Sequence, residues 1–261
     1  MNPLAHPLIQ WQMDNFQIIK AGPEGFRGIH LDERLANGFF RSGYHMVAMD
    51  RQLIEFNDDE LVYDWLFKIR VKLAGYKPPS TVRNIRNRCK RYDVKVSAGQ
   101  ITDEIEDLYR RYHASVDFEI PDSCRENLLD GQQSSPFETM VVELRDGGKL
   151  IGAGFLDMGH SACMGVLNIY DPDHKRHSIG KFLIDRKIEY ARGEGLQYFY
   201  PGSVMLGDER LDYKLRIDHM NTEVYLSADG TWQPYNEYGK TGMEKYLLSR
   251  IQTTDHDDTC I

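Results

Sequence analysis

Residues 161–202 constrain the chain most, because they demand a strand, a charged loop, a helix and a second strand in immediate succession. Residues 164–170 form a mostly apolar run with β-branched and aromatic members, the composition of a buried strand. Asp171-Pro172-Asp173 ends that run, since Pro172 has no N–H to give to a ladder. Residues 180–192 predict a helix with Leu183, Ile184, Ile188 and Ala191 on one stripe. Gly193 and Gly195 stop it, and residues 196–200 read as a second strand. Between the first strand and the helix lie Lys175, Arg176, His177 and Ser178. A basic, small-residue loop that enters a helix N-terminus favours an anion, because the unpaired N–H groups and the helix dipole both face it.

The order of elements on either side is regular enough to suggest a fold. Thr102 starts a helix with Asp103 and Glu104 in its first turn and Ile105, Leu108, Tyr109 and Tyr112 on its buried stripe. Ser123 and Glu126 have capping-box spacing, so a second helix runs to about Asp130 and stops at Gly131. Residues 139–144 and 150–158 predict strands joined at the hairpin signal Asp146-Gly147-Gly148, and Gly159-His160 turns into a third strand. Residues 222–226 and 231–234 flank Ala228-Asp229-Gly230 as a last hairpin. Residues 242–251 predict a terminal helix, and 253–261 a frayed end.

The loop 175–180 resembles the coenzyme A pyrophosphate turn of the GCN5-related N-acetyltransferases, with Lys175 at the leading position and Ser178 in place of the first glycine. A closer resemblance is to the arginyl-tRNA–protein transferases and their bacterial leucyl-transferring relatives. It rests on Tyr170-Asp171-Pro172-Asp173, Ser178-Ile179-Gly180-Lys181, Ile188-Glu189-Tyr190-Ala191 and Tyr198-Phe199-Tyr200-Pro201-Gly202, in that order and at similar spacing. Phe39 to His45 is similar to an element near the start of that family, with Phe40 in place of its first arginine. Residues 76–88 are similar to another. The family's clustered metal-binding cysteines are missing: the acidic, aromatic residues 58–66 stand there, so the resemblance implies that any metal centre has been lost. The implied fold is α+β, a mixed sheet of the acetyltransferase kind flanked by helices and carrying about six or seven strands. The strand 164–170 is expected at its centre. The implied domains are an N-terminal one at residues 1–95, the transferase-like one at 96–240, and a tail at 241–261.

Charge bears on partners. The net charge of −8 argues against indiscriminate nucleic-acid binding. Yet residues 68–91 hold Lys68, Arg70, Lys72, Lys77, Arg83, Arg86, Arg88, Lys90 and Arg91 with no acid among them, a local field for a polyanion. Ser80 can cap a short helix there, on which Arg83, Arg86 and Lys90 share a face. By itself that is either a solvated basic helix or a ligand surface, and the resemblance points to tRNA contact. Cys89, Cys124, Cys163 and Cys260 are scattered without C-x-x-C spacing, which suggests neither zinc nor disulfides. Residues 1–7 have no basic leader or apolar signal core, and the expectation is a cytoplasmic protein without a membrane partner.

The implied reaction moves an aminoacyl group from the tRNA ester to the α-amine of an acceptor protein, which the chemistry lets run without a cofactor. Positioning does much of the work; what remains is to deprotonate an ammonium and stabilise an oxyanion. Asp171, at a strand end, is the candidate proton acceptor, beside Tyr170; its alternative role is a turn residue bonding its own backbone. The donor is expected to meet Lys175, Arg176, His177, Ser178, Ile179, Gly180 and Lys181. Tyr170, Tyr198 and Tyr200 offer either stacking surfaces for a terminal base or core aromatics. His160, His174 and His177 lack the carboxylate partners of a metal site. The alternatives are acetyl-CoA-dependent N-acetylation and a non-catalytic binding protein.

Overall fold

The computed structural model describes residues 16–57 and 60–257, with side chains left aside for 54–62 and 250–257. The expectations for residues 1–7, for Asp58, Asp59 and Cys260, and for the last residues of the frayed end lie outside the described residues. Twelve strands and six α-helices follow one another among them. A small sheet of β1 (Gln17–Ile19), β2 (Phe40–Ser42) and β3 (His45–Ala48) accompanies helix α1 (Ile29–Ala36). Strands β4 (Arg51–Asn57) and β5 (Glu60–Lys72), helix α2 (Ser80–Cys89) and strand β6 (Asp93–Ala98) come next. Then the expected order appears: α3 (Asp103–His113), α4 (Cys124–Leu129), the meander β7 (Thr139–Asp146), β8 (Lys149–Met158) and β9 (Ala162–Tyr170), helix α5 (Ile179–Gly193) and β10 (Tyr198–Met205). The hairpin β11 (Thr222–Leu226) and β12 (Thr231–Pro234) leads into α6 (Tyr235–Asp257), which is broken at Gly239 by a positive φ of 58°.

The mixed sheet has nine strands in the order β12-β11-β5-β10-β9-β8-β7-β6, with β4 paired to β5. Strand β9 lies inside it, as expected, and α5 covers one face. Six strands come from residues 139–234; β4, β5 and β6 add three from earlier in the chain. The division placed at residue 95 therefore falls within β6, and β5 sits between β10 and β11. Within β5, Phe67, Ile69 and Val71 alternate with Lys68, Arg70 and Lys72, the period of a strand with one apolar face. Those three cations thus belong to the sheet and not to the basic helix that follows.

Layers on both faces explain why nearly every residue of β8 is buried. On one face Val142, Leu144, Ile151 and Leu156 meet Leu183, Ile188 and Ala191 of α5 and Ile85 and Cys89 of α2. On the other, Val141, Leu150, Ala153, Phe155 and Ile169 meet Ile105, Leu108 and Tyr109 of α3 and Cys124 and Leu128 of α4. The α4 cap is the one the spacing predicts, with Ser123 Oγ accepting the Glu126 N–H at 3.0 Å. Cys89, Cys124 and Cys163 are free and buried, behaving as small apolar residues.

The feature that positions the site is a divergence. Strands β9 and β10 pair in parallel only where Ala162, Cys163 and Met164 face Tyr198, Phe199 and Tyr200. Pro201 then offers no N–H, Gly202 takes a φ of 102°, and β10 continues along β5 after a register shift. Residues 165–170 of β9 are left paired with β8 alone. The gap between the splayed strands is a cleft of about 690 Å3.

Candidate active site

The cleft floor is Gly165, Asn168 and Phe199 with Lys187 beneath, and its aromatic wall is Tyr112, Tyr170 and Tyr213. Tyr112 and Tyr170 meet edge to face at 5.3 Å. Burial of Tyr112, above all, pushes its phenol up to about 12, so it stays protonated at neutral pH. At one end lie Ser178, Ile179, Gly180 and Lys181, the first turn of α5, together with Lys175; at the other lie Arg210, paired with Asp208, and Lys214. Burial draws the Lys214 ammonium down to about 8, and its Nζ donates to Ser203 O at 3.0 Å.

The α5 entrance is built by an unusual backbone. Pro172–His177 is a 3-10 turn, and Ser178 takes a left-handed conformation at φ 59°, rare for a residue with a Cβ. The Ser178 hydroxyl makes no cap to α5, which leaves the first N–H groups of the helix to another acceptor. Gly180 faces Tyr170, whose ring would meet an added Cβ at 3.4 Å. Outside the cleft, His177 Nδ1 is hydrogen-bonded to the Tyr92 hydroxyl, which ties this loop to the end of α2.

The residues singled out from sequence divide into two groups. Tyr170, Lys175, Ser178, Ile179, Gly180 and Lys181 line the cleft together. Arg176 and His177 do not line it, and Arg176 Nε lies 3.2 Å from His177 Nε2. Asp171 serves the turn: it is 2% exposed, accepts the Asp173 N–H at 3.1 Å, and pairs with Lys149 at 2.8 Å and Arg111 at 3.6 Å. Burial alone would raise its carboxyl, but Lys149, the Asp173 N–H and Arg111 hold it below the usual carboxylate range, which suits an ion pair better than a proton acceptor. Tyr200 faces the opposite side of the sheet, because strand side chains alternate and Phe199 takes the cleft side. There Tyr200 stands 5.6 Å from Trp232, ring to ring, and takes a long hydrogen bond from Arg70.

The basic helix is also divided. Arg86 is bound to the buried carboxylate of Asp185 at 2.7 and 2.9 Å and to Glu189 at 3.0 Å, fixing α2 against α5. Arg83 and Lys90 are exposed. Arg88 is exposed too, and its Nη2 lies 3.5 Å from Ser178 Oγ, bringing the helix's charge to the cleft entrance. Its place in the site emerges only when α2 packs against the 3-10 turn.

Lys187 is the residue that sequence reasoning missed. It is fully buried, and its Nζ donates to Phe155 O at 2.6 Å and Leu167 O at 3.0 Å. Burial lowers its ammonium to about 7, against smaller opposing effects of Cys163 and Asp157. A signal was present: Lys187 stands four residues after Leu183 and four before Ala191, on the apolar stripe of α5. Among the described residues, no three His, Cys, Asp or Glu side chains gather as a metal ion would need.

Comparison with known proteins places this geometry. Residues 104–223, from α3 to the start of β11, match the family described as arginine-tRNA-protein transferase, C terminus. An aspartate/glutamate leucyltransferase of Stenotrophomonas maltophilia (strain R551-3) is 30% identical over 156 residues, which cover 57% of this chain and 62% of that protein. One from Leptospira interrogans is 27% identical over 177 residues, covering 66% and 68%. The chain thus spans less than two thirds of the length of the first of these transferases. Among solved structures, FemX aligns over 74% of this chain and 65% of its own at a TM-score of 0.44 and 10% identity.

Proposed function

We propose that the protein moves an aminoacyl group from tRNA to the N-terminal α-amine of an acceptor protein. The observation that carries this reading is the cleft between β9 and β10, walled by tyrosines and entered past the free first turn of α5. Tyr112, Tyr170 and Tyr213 give a terminal base flat faces to stack on, and such stacking contributes about 1–3 kcal/mol per base. Lys175, Lys181 and the α5 N–H groups meet the adjacent phosphate, and Arg83, Arg88 and Lys90 hold the acceptor stem beyond it. The amine nitrogen attacks the ester carbonyl carbon; a C–N bond forms, the C–O bond to the ribose breaks, and the ribose oxygen leaves with a proton. The ester is already activated, so the protein's contribution is alignment, one proton transfer and a dry cleft.

No helix among the described residues is long and apolar enough to cross a membrane, and a cytoplasmic enzyme that marks protein N-termini for the N-end rule fits the reading. The deciding experiment incubates the protein with an acceptor peptide and either labelled aminoacyl-tRNA or labelled acetyl-CoA. Label is expected on the peptide amine from the tRNA alone. Label from acetyl-CoA alone, or from neither, overturns the proposal. Gly180→Val is expected to lower tRNA affinity in a protein that stays folded, since a branched side chain there crowds the Tyr170 ring of the cleft wall.

A further inference from the structure

An amine at the bottom of a cleft, with no carboxylate bound to it, is costly to keep charged. Lys187 is such an amine. Its side chain rises from α5 between two glycines of the sheet, whose missing side chains make its space. A Cβ on Gly154 would lie 2.8 Å from Lys187 Cε, and one on Gly165 would lie 3.9 Å from Nζ. Nζ ends where the β8–β9 register shifts, between the carbonyls of Phe155 and Leu167. The titratable groups facing it are Asp157 of β8 and Cys163 of β9. Asp157 is already engaged, accepting from Arg41 Nη1 at 2.8 Å and from Thr139 Oγ1 at 2.6 Å. Burial raises the Cys163 thiol far above its ordinary value, so it is neutral.

The two carbonyls use two N–H bonds of Lys187 whether the amine is charged or neutral. The third tetrahedral position is the one that changes: an N–H in the ammonium, a lone pair in the amine. Lys187 also lines the cleft, buried beneath the half-buried residues 165–168 of β9. The fixed part of the group is thus anchored in the sheet, and the variable part is not used by either of these two hydrogen bonds.

Resting on the transferase reading above, we propose that Lys187 is the catalytic base that takes the proton from the acceptor's α-ammonium at the floor of this cleft. Its lone pair accepts one proton; the freed amine nitrogen attacks the ester carbonyl carbon, forming C–N as the carbonyl pair moves to oxygen. When the intermediate collapses, the C–O bond to the ribose breaks, and the second amine proton goes to the departing ribose oxygen. Lys187 releases its own proton to solvent before the next turnover, so one proton is released for each amide formed.

The test pairs a titration with kinetics on the full chain. Lysine labelled with 13C at Cε reports each amine by NMR, and Lys187→Met assigns the signal. Lys187 is expected to titrate near neutrality, and kcat/KM of the parent for peptide and aminoacyl-tRNA to rise with pH through the same midpoint. Lys187→Met and Lys187→Arg are expected to lose about 100-fold or more in kcat, the usual contribution of a positioned base, and to lose that rising limb. Their aminoacyl-tRNA Kd is expected to stay within about twofold. Arginine keeps the positive charge but cannot deprotonate at working pH, so it separates a base from an electrostatic or packing role. A Lys187 signal that titrates near the ordinary lysine value of about 10.4 overturns the proposal, as does a folded Lys187→Arg protein with parental activity and pH profile. If Lys187→Met fails to fold, Lys187→Gln takes its place. An active parent with an ordinary Lys187 overturns this role alone; a parent that transfers nothing from any aminoacyl-tRNA overturns the transferase reading, and this role with it.

Discussion

Two stretches carry the chain's densest positive charge, and the fold uses them in opposite ways. Lys68, Arg70 and Lys72 lie on β5; Arg83, Arg86, Arg88 and Lys90 lie on or beside α2 a few residues later. On β5 the charge is consumed. Lys68 is 5% exposed, donates to Met49 O at 3.0 Å and sits over the Phe40 ring. Arg70 is held between the Tyr198 and Trp232 rings at 4.2 and 4.3 Å and pairs with Glu223, which also binds Lys72. On α2 Arg86 is consumed by Asp185 and Glu189, while Arg83, Arg88 and Lys90 are exposed, Arg88 beside the cleft entrance. A run of like charge is therefore no surface until the packing of its element is known: on β5 the three cations share one face, which Phe40, Trp232 and Glu223 cover, whereas α2 leaves most of its charge in solvent.

This contrast is easiest to break at Arg70. Arg70→Ala empties the slot between the Tyr198 and Trp232 rings and leaves Glu223 with Lys72 alone, and the expected cost is about 2–3 kcal/mol in urea unfolding. A loss under about 1 kcal/mol would show that β5 tolerates free charge as α2 does. Lys68 gives the next effect, through pH. Burial first, then Lys214, depress its ammonium to about 7 against the pull of Asp50. The folded state thus gives up this proton near pH 7, while the unfolded chain keeps it to about pH 10.4. Between those values the unfolded state binds more protons, so stability rises with pH, by up to about 1.4 kcal/mol per unit for this group. Lys68→Met is expected to flatten the stability–pH curve there by that slope; an unchanged curve refutes the burial of the charge.

Smaller again is Arg86→Ala, with about 1–2 kcal/mol of destabilisation, because Arg186 still pairs with Asp185 at 2.5 Å. The smallest stability change, within about 0.5 kcal/mol per site, is expected for Arg83, Arg88 and Lys90 replaced together by Ala. Their effect is on binding instead: the dependence of log K on log salt for tRNA is expected to flatten by about 0.9 for each duplex phosphate that is no longer neutralised. A parental salt slope would make α2 only a solvated face.

What was legible in the sequence was what depends on local pattern. The strand, loop, helix and strand of residues 161–202, the meander before them, and the α3 and α4 caps all follow from periodicity and capping. Six residues of the donor loop and strand end reached the cleft for the same reason. What failed depends on distant packing. Strand β5 was hidden because its apolar residues alternate with charges whose partners come from distant elements, β2, β10, β11, β12 and the loop before β4. Asp171 could be either base or turn residue until Lys149 and Arg111 arrived from β8 and α3. Tyr200 went to the wrong face for want of one residue of strand phase. Lys187 was overlooked because lysine on a helix is ordinarily at the surface, and only its place on the apolar stripe argued otherwise.

The insertion of β5 between β10 and β11 sets a timetable for assembly. As the chain emerges from the ribosome, β7, β8 and β9 can pair with neighbours already made or next in line, since each lies beside its successor in sequence. Strand β5 cannot. Both of its main partners are synthesised much later, and until then its edges are held by β4 alone. Such non-local pairing is slow and leaves unpaired strand edges open to misassociation. The splayed cleft closes on its β10 side only when this waiting strand is met. The catalytic gap is then among the last parts of the molecule to form, and shielding the nascent chain is expected to raise the yield of active protein more than the yield of compact protein.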